Sequence, residues 1–237
     1  DWAEADDGDL LLADASGYLQ AVDTSRLVKL ACDRDLRLRL DVRPGHYVIK
    51  DGPIGQVSPH DRLSEDDAAE IAGALVIGSV RTAAQDIEYS IKAMVEIALR
   101  ALSPGINDTY TAIAAIDQLG GALADAMKRS TPPHCFADEK GTVRLVRDRV
   151  DFEGLLDAAY NPIRQNLAGN VSGIVRLLEV VGELAPFVRD DEHKQALLRH
   201  LDMTVSLAKR TVEGERDNAD VANRAAAARG ALAAWKD

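Results

Sequence analysis

Five histidines and two cysteines are the residues of this sequence best suited to hold a metal ion, and their spacing does not suit the task. His46, His60, His134, His193 and His200 form no H-x-x-x-H or H-E-x-x-H pair, and Cys32 and Cys135 belong to no C-x-x-C. His134-Cys135 comes nearest to a site, but it follows two prolines and lacks partners, so no metal is expected. Nucleophilic catalysis has no better support. There is no G-x-S-x-G elbow, and no serine has an evident histidine beside it. Neither G-x-x-x-x-G-K-[ST] nor G-x-G-x-x-G occurs, so no nucleotide cofactor is expected. Carboxylate pairs are common in so acidic a chain, and none stands out.

One stretch is unusual. Arg81-Thr-Ala-Ala-Gln-Asp86 reads as part of a long helix with Glu88 and Arg100 further along it; Arg81 and Gln85 share a face, as do Gln85 and Glu88, because residues three or four apart are neighbours. The helix then stops at Ser103-Pro-Gly-Ile-Asn-Asp108 and a second begins at once. If the two return antiparallel, Asn107 and Asp108 lie at the junction beside the free amides of the new helix. A helix corner accounts for each residue type: proline stops one helix, glycine takes positive φ, and Asn or Asp caps the next. The competing reading is a pocket for a small ion or ligand built from Arg81, Gln85, Asp86, Asn107 and Asp108.

Two kinds of element would have to position these residues. Before residue 60 the hydrophobic period is two. Gly17–Val22 is a strand candidate, Leu36-Arg-Leu-Arg-Leu-Asp-Val42 alternates strictly, and Tyr47–Ile49 and Ile54–Val57 follow behind Pro44-Gly45 and Asp51-Gly52 turns. A short helix fits Thr24–Asp33. From Ser64-Glu-Asp-Asp67, a capping-box pattern, the period becomes helical. Ala68, Ala72, Leu75, Ala83, Ile87, Ile91, Met94, Ala98 and Leu102 recur at helical spacings up to Pro104-Gly105, giving a helix about 55 Å long at 1.5 Å per residue. Gly73 and Gly78 are its two weak points. A second helix runs from Asn107 or Asp108 to Arg129. Residues 135–150 read as a hairpin turning at Asp138-Glu-Lys-Gly141. Helices are then expected over Asp151–Ala168, Val171–Phe187, Asp191–Glu213 and Asp217–Trp235, with a kink at Asn161-Pro162.

The expected fold class is therefore α+β. Residues 1–14 form an acidic linker, residues 15–60 a small β-rich domain of barrel or sandwich type, and residues 61–237 a mainly helical domain with the hairpin inserted in it. With 28 Lys+Arg against 39 Asp+Glu the net charge is −11, which argues against a nucleic-acid partner. Aromatics supply only 4% of residues, so Leu, Val, Ile and Ala must build the core. Two cysteines cannot form a disulfide framework and point to a reducing compartment. The longest apolar run, Ile71–Val80, is about half of what a membrane span needs.

Arg81-Thr-Ala-Ala-Gln-Asp86-Ile-Glu-Tyr-Ser-Ile91, followed by Ile97-Ala-Leu-Arg-Ala-Leu-Ser-Pro-Gly-Ile-Asn-Asp108, closely resembles the signature of the DUF2254 family of predicted bacterial integral membrane proteins. Ser16-Gly-Tyr-Leu-Gln20 with Asp23, Pro44-Gly45 and Gly52-Pro53 resemble that family's N-terminal soluble part. Arg144-Leu-Val146, Asp151-Phe152, Ile163-Arg-Gln165 and Arg176-Leu-Leu178 are weaker matches. The family pattern has Pro-Phe where this chain has Thr109-Tyr110, which removes a favoured first-turn proline and leaves the corner intact.

The resemblance implies transmembrane helices upstream of Asp1, with this chain as the soluble C-terminal portion of a protein in the cell inner membrane. It implies no established activity and no cofactor. An even number of upstream helices, together with the unpaired cysteines, would put the soluble portion in the cytoplasm. The function expected is assembly or regulation of a channel- or transporter-like membrane part rather than catalysis. A small-ligand sensor or enzyme using the 81–108 cluster is the alternative. The long apolar stripe from Ala68 to Leu102 further suggests a homo-oligomer, because uncovered apolar patches are rare on monomers.

Overall fold

A computed structural model describes residues 8–60, 62–130 and 132–235. The N-terminal part of the expected acidic linker, residues 1–7, lies outside the described residues. The fold is α+β. The chain divides into two compact units, one running up to Tyr89 and taking in Pro132–Arg149, the other comprising Ser90–Thr131 and Val150–Asp237.

The first unit holds two sheets. Strands β1 (Asp9–Leu12), β3 (Arg37–Leu40), β5 (Pro53–Ser58), β7 (Cys135–Ala137) and β8 (Val143–Arg147) form one, in the order β1-β5-β3-β8-β7. Strands β2 (Gly17–Val22), β4 (Tyr47–Val48) and β6 (Leu75–Gly78) form the other, in the order β4-β2-β6. Helices α1 (Thr24–Asp33) and α2 (Glu65–Ala72) complete the unit. The alternation at residues 36–40 does what a period of two dictates: Leu36, Leu38 and Leu40 are buried, while Arg37 and Arg39 project from the opposite face. Leu19, Leu27, Ile71, Val57 and Leu145 join them in an aliphatic core.

Two expectations are corrected here. The helix expected from Ala68 to Leu102 is not continuous. It resolves into α2, the strand β6, an irregular segment, and α3 (Ile87–Ala101). Leu75–Gly78 pairs antiparallel with β2, Leu75 opposite Val22 and Gly78 opposite Tyr18. A short apolar run of Leu, Val and Ile suits a strand as well as a helix, and a partner strand more than fifty residues upstream decides the matter. The hairpin is formed as expected, β7 antiparallel to β8, but it does not sit among helices. Its strand β8 lies parallel to β3, Leu38 opposite Leu145, and so extends the first unit's sheet.

The second unit is helical. It contains α3 from Ser90 onward, α4 (Thr109–Met127), α5 (Phe152–Gln165), α6 (Val171–Glu183), α7 (Asp191–Thr211) and α8 (Glu215–Ala233). Helix α6 packs on α4, α7 and α8, and α5 packs on α4 and α7. The core is mainly aliphatic, and Tyr160 is its largest fully buried side chain, its hydroxyl donating to the Ile116 carbonyl (3.2 Å). Gly120 permits this: a Cβ there would lie 2.6 Å from Val180 Cγ1 and 3.3 Å from the Tyr160 hydroxyl. Side chains cap these helices in turn, Asp108 on α4, Asp151 on α5, Asn170 on α6 and Asp190 on α7. Each cap stands where the sequence placed a helix start.

Candidate functional site

The sequence-predicted residues fall in both units. Arg81, Gln85 and Asp86 belong to the first, Asn107 and Asp108 to the second. In the first unit they occupy the irregular segment between β6 and α3, not a helix face. Asp86 is almost wholly buried. Its Oδ2 accepts from Arg81 Nε (2.8 Å) and lies against Arg81 Nη2, while its Oδ1 accepts from the Tyr89 amide (3.1 Å). It thus holds an arginine with one oxygen and caps the start of α3 with the other. Gln85 works on a strand end. The Val22 amide donates to Gln85 Oε1 (3.1 Å), and Gln85 Nε2 donates to the Val22 carbonyl (3.4 Å), so the side-chain amide extends β2's pairing by one rung.

The Pro44-Gly45 turn closes over this pair. Gly45 has φ +97°, and its amide donates to the Leu19 carbonyl (2.7 Å). A Cβ at Gly45 would collide with Asp86 Oδ2 and stand 2.7 Å from Arg81 Nη2, so only glycine lets the turn approach. Arg43, in the same loop, donates from Nη1 to Asp148 Oδ2 (2.6 Å) and from Nη2 to Glu88 Oε1 (2.9 Å). Burial works against the Arg43 charge, but the hydrogen bonds and charges of Asp148 and Glu88 outweigh it and hold the guanidinium above its ordinary range. Gln20 adds a further tie, its Nε2 donating to the Val80 carbonyl (2.7 Å).

Ser16–Gln20, Pro44-Gly45 and Arg81–Asp86, far apart in sequence, therefore converge around β2. Every polar group just named is taken up by another part of the unit. The arrangement is a latch that ties the Pro-Gly turn, the end of β2 and the entry to α3. Sequence reasoning placed Arg81, Gln85 and Asp86 together, with Glu88 close by, but missed Arg43 and Asp148. A lone arginine before Pro44 gives no sign that acids 45 and 105 residues onward will meet it.

In the second unit the Asn107 backbone is left-handed, with φ +48°, which asparagine tolerates better than most residues. Asp108 is the N-cap of α4: its Oδ1 accepts from the Thr111 amide (3.1 Å) and its Oδ2 from the Thr111 hydroxyl (2.6 Å). These bonds, the hydroxyl first, hold its carboxyl below the ordinary carboxylate range. The chain turns back over the Pro104-Gly105 corner, with the Asp108 amide donating to the Ala101 carbonyl (2.8 Å). Among the described residues no three His, Cys, Asp or Glu side chains are grouped to hold a metal ion, and both cysteines are free thiols.

Comparison with known proteins places this geometry in a family. Uncharacterized proteins of Mycobacterium bovis and of two strains of Mycobacterium tuberculosis are similar to the chain, at 30%, 30% and 29% identity over 222 residues. The alignments cover 92% of this chain and 43% of each relative, so the chain spans less than half the length of these proteins. No solved structure matches. The family model described as "Predicted membrane protein (DUF2254)" matches residues 1–183, which takes in both the latch around β2 and the α3–α4 corner, and the chain belongs to that family.

Proposed function

We propose that this chain is the extramembrane portion of an integral membrane protein of the bacterial inner membrane, facing the cytoplasm and acting through assembly or regulation of a channel- or transporter-like membrane part. The observation that carries the reading is membership of a family described as predicted membrane proteins. Among the described residues no helix is long and apolar enough to cross a membrane. In this proposal any spans lie in the part of the longer relatives that this chain does not cover. The latch fits a structural role, because Arg81, Gln85 and Asp86 hold the fold together. Self-association remains part of the proposal, without the single apolar helix stripe that suggested it. The stripe once expected on one helix is divided: Leu75 lies in β6 and is buried, Ile87 is exposed, and Met94 packs on the helical core.

Two measurements test the reading on the full-length protein. A membrane-impermeant maleimide should label the exposed Cys135 only after the cells are opened. In proteoliposomes, removing the region equivalent to this chain should change either the oligomeric size or the ion or solute flux of the membrane part. Labelling in intact cells would reverse the sidedness. An unchanged assembly with unchanged flux would sink the functional proposal.

A further inference from the structure

The second unit carries a groove of about 800 Å³ lined by α5, α7 and α8. Its charged lining is five bases, Arg164, Lys194, Arg199, Arg210 and Arg229, against the one carboxylate of Asp202. That balance is opposite to the chain's, which is −11 overall. On α7 the lining follows helical spacing through Arg199, Asp202 and Arg210, on the face turned away from the buried Leu197, Leu201 and Leu207.

A row of basic residues on a helix is ordinarily a solvated face, so the partners of each one matter. Arg199 donates to Asp157 Oδ1 (2.9 Å) and pairs with Glu153 (2.7 Å). Arg229 pairs with Asp202, and Lys194 sits over the Trp235 ring at 5.1 Å. Two charges are left. Arg164 donates from Nη2 to Asn161 Oδ1 (3.2 Å), but its Nε is buried and, among the described residues, has no acceptor. Arg210 has no ion pair or hydrogen bond among the described residues, and its charge acts on Arg164. Elsewhere in the unit the many acids are used freely: Arg176 alone gathers Asp117, Glu179 and Glu183. A buried guanidinium donor without an acceptor is costly, and the Arg210 charge works against that of Arg164, with Asp157 offsetting part of the effect. An anion between them would remove both penalties.

We infer that the α5–α7–α8 groove is a binding site for a small phosphate-bearing anion, held by the guanidinium groups of Arg164 and Arg210 with Arg229 and Lys194 at its margin. Planar guanidinium forks match the geometry of phosphate oxygens, and several converging on one concavity make the contact specific. Burial, with the Arg210 charge beside it and against the pull of Asp157, holds Arg164 below its ordinary range, a cost that a bound anion would offset. The acidic remainder of the chain repels extended polyanions, which favours a compact ligand over nucleic acid. The same chemistry is offered by a free phosphate or phosphoester and by the headgroup of an anionic phospholipid. This inference does not depend on the membrane reading.

The test uses the 237-residue chain in two arms. Calorimetric titration with inorganic phosphate and pyrophosphate reports the soluble source. Flotation with phosphatidylcholine vesicles, with and without phosphatidylglycerol, reports the headgroup. Arg210→Ala should weaken binding about tenfold in whichever arm is positive, with Arg229→Ala a second, milder variant. Lys209→Ala removes the same charge one residue outside the groove and should leave binding within about twofold. Binding in either arm that falls with Arg210→Ala and not with Lys209→Ala upholds the inference and names the source. Absence of binding in both arms, or equal losses in the two variants, overturns it. Arg210 makes no ion pair or hydrogen bond among the described residues, so its variant should unfold close to the wild-type temperature.

Discussion

The latch of the first unit and the groove of the second are both built on arginine, and they treat its charge in opposite ways. Arg43 and Arg81 meet Asp148, Glu88 and Asp86 at hydrogen-bonding distance, and the acids come from other segments. In a chain with an excess of acid, Arg164 feels the charge of Asp157 without pairing with it, and Arg210 makes no ion pair among the described residues. A matched arginine holds a fold together. An unmatched donor withdrawn from water, as Arg164 Nε is, is a place where something else can bind.

The largest expected effect breaks the latch. Asp86→Ala removes the partner of Arg81 and the cap of α3 together, and should cost about 3 kcal/mol, read as a lower urea midpoint. A loss below about 1 kcal/mol would make the latch no stronger than a surface pair.

A second prediction uses pH in the helical unit. His200 is buried, with Nε2 2.7 Å from Asp157 Oδ1. Burial, with the nearby charges of Arg199 and Arg164, holds its pKa below 6.5 despite the pull of Asp157. A lowered folded pKa means that the unfolded chain takes up a proton first. Stability is therefore full above pH 6.5 and falls as the pH drops below it. The slope due to this one group cannot exceed about 1.4 kcal/mol per pH unit. His200→Gln should flatten this part of the profile, measured by denaturation between neutral and mildly acidic pH. An unchanged slope would show that another group carries the dependence.

Smaller again is the corner. Asp108→Ala should destabilise the chain by about 1 kcal/mol, and Asp108→Ser or Asp108→Asn should recover most of it, because each still offers a capping oxygen. The smallest effect sharpens the comparison from the other side. Arg210→Ala should change stability by less than about 0.5 kcal/mol in phosphate-free buffer, since it removes no ion pair or hydrogen bond among the described residues, and the repulsion with Arg164 that it relieves offsets the favourable place of a cation in the last turn of α7. A large loss would mean that Arg210 is matched after all.

Much of this architecture was legible residue by residue. The Leu36–Val42 alternation became β3, and Ser64 accepts the Asp67 amide as the capping-box pattern required (3.1 Å). Helix α7 starts at Asp191, as read, and Pro162 lies inside α5 where a kink was expected. Long-range pairing was not legible. Leu75-Val-Ile-Gly78 has the same local character in a strand as in a helix, and only β2 distinguishes them. Arg81, Gln85 and Asp86 were identified together from their types and motif, but their partners Val22 and Gly45 come from other parts of the chain. The groove was invisible for a similar reason. Arg164, Arg210 and Arg229 lie on three helices, and no window along the sequence contains all three.

The parallel pairing of β8 with β3 also matters while the protein is being made. Strand β3 leaves the ribosome early and gains β5 soon afterwards, but its other side stays unpaired until Val143–Arg147 has emerged. Throughout synthesis of the intervening segment, which includes α3 and α4, the nascent chain displays the backbone groups of a leucine-rich strand. Such a strand invites pairing with a neighbouring polysome product. Arg37 and Arg39, alternating with the buried leucines, place charge along that waiting strand and so discourage the wrong encounter until the native one becomes available.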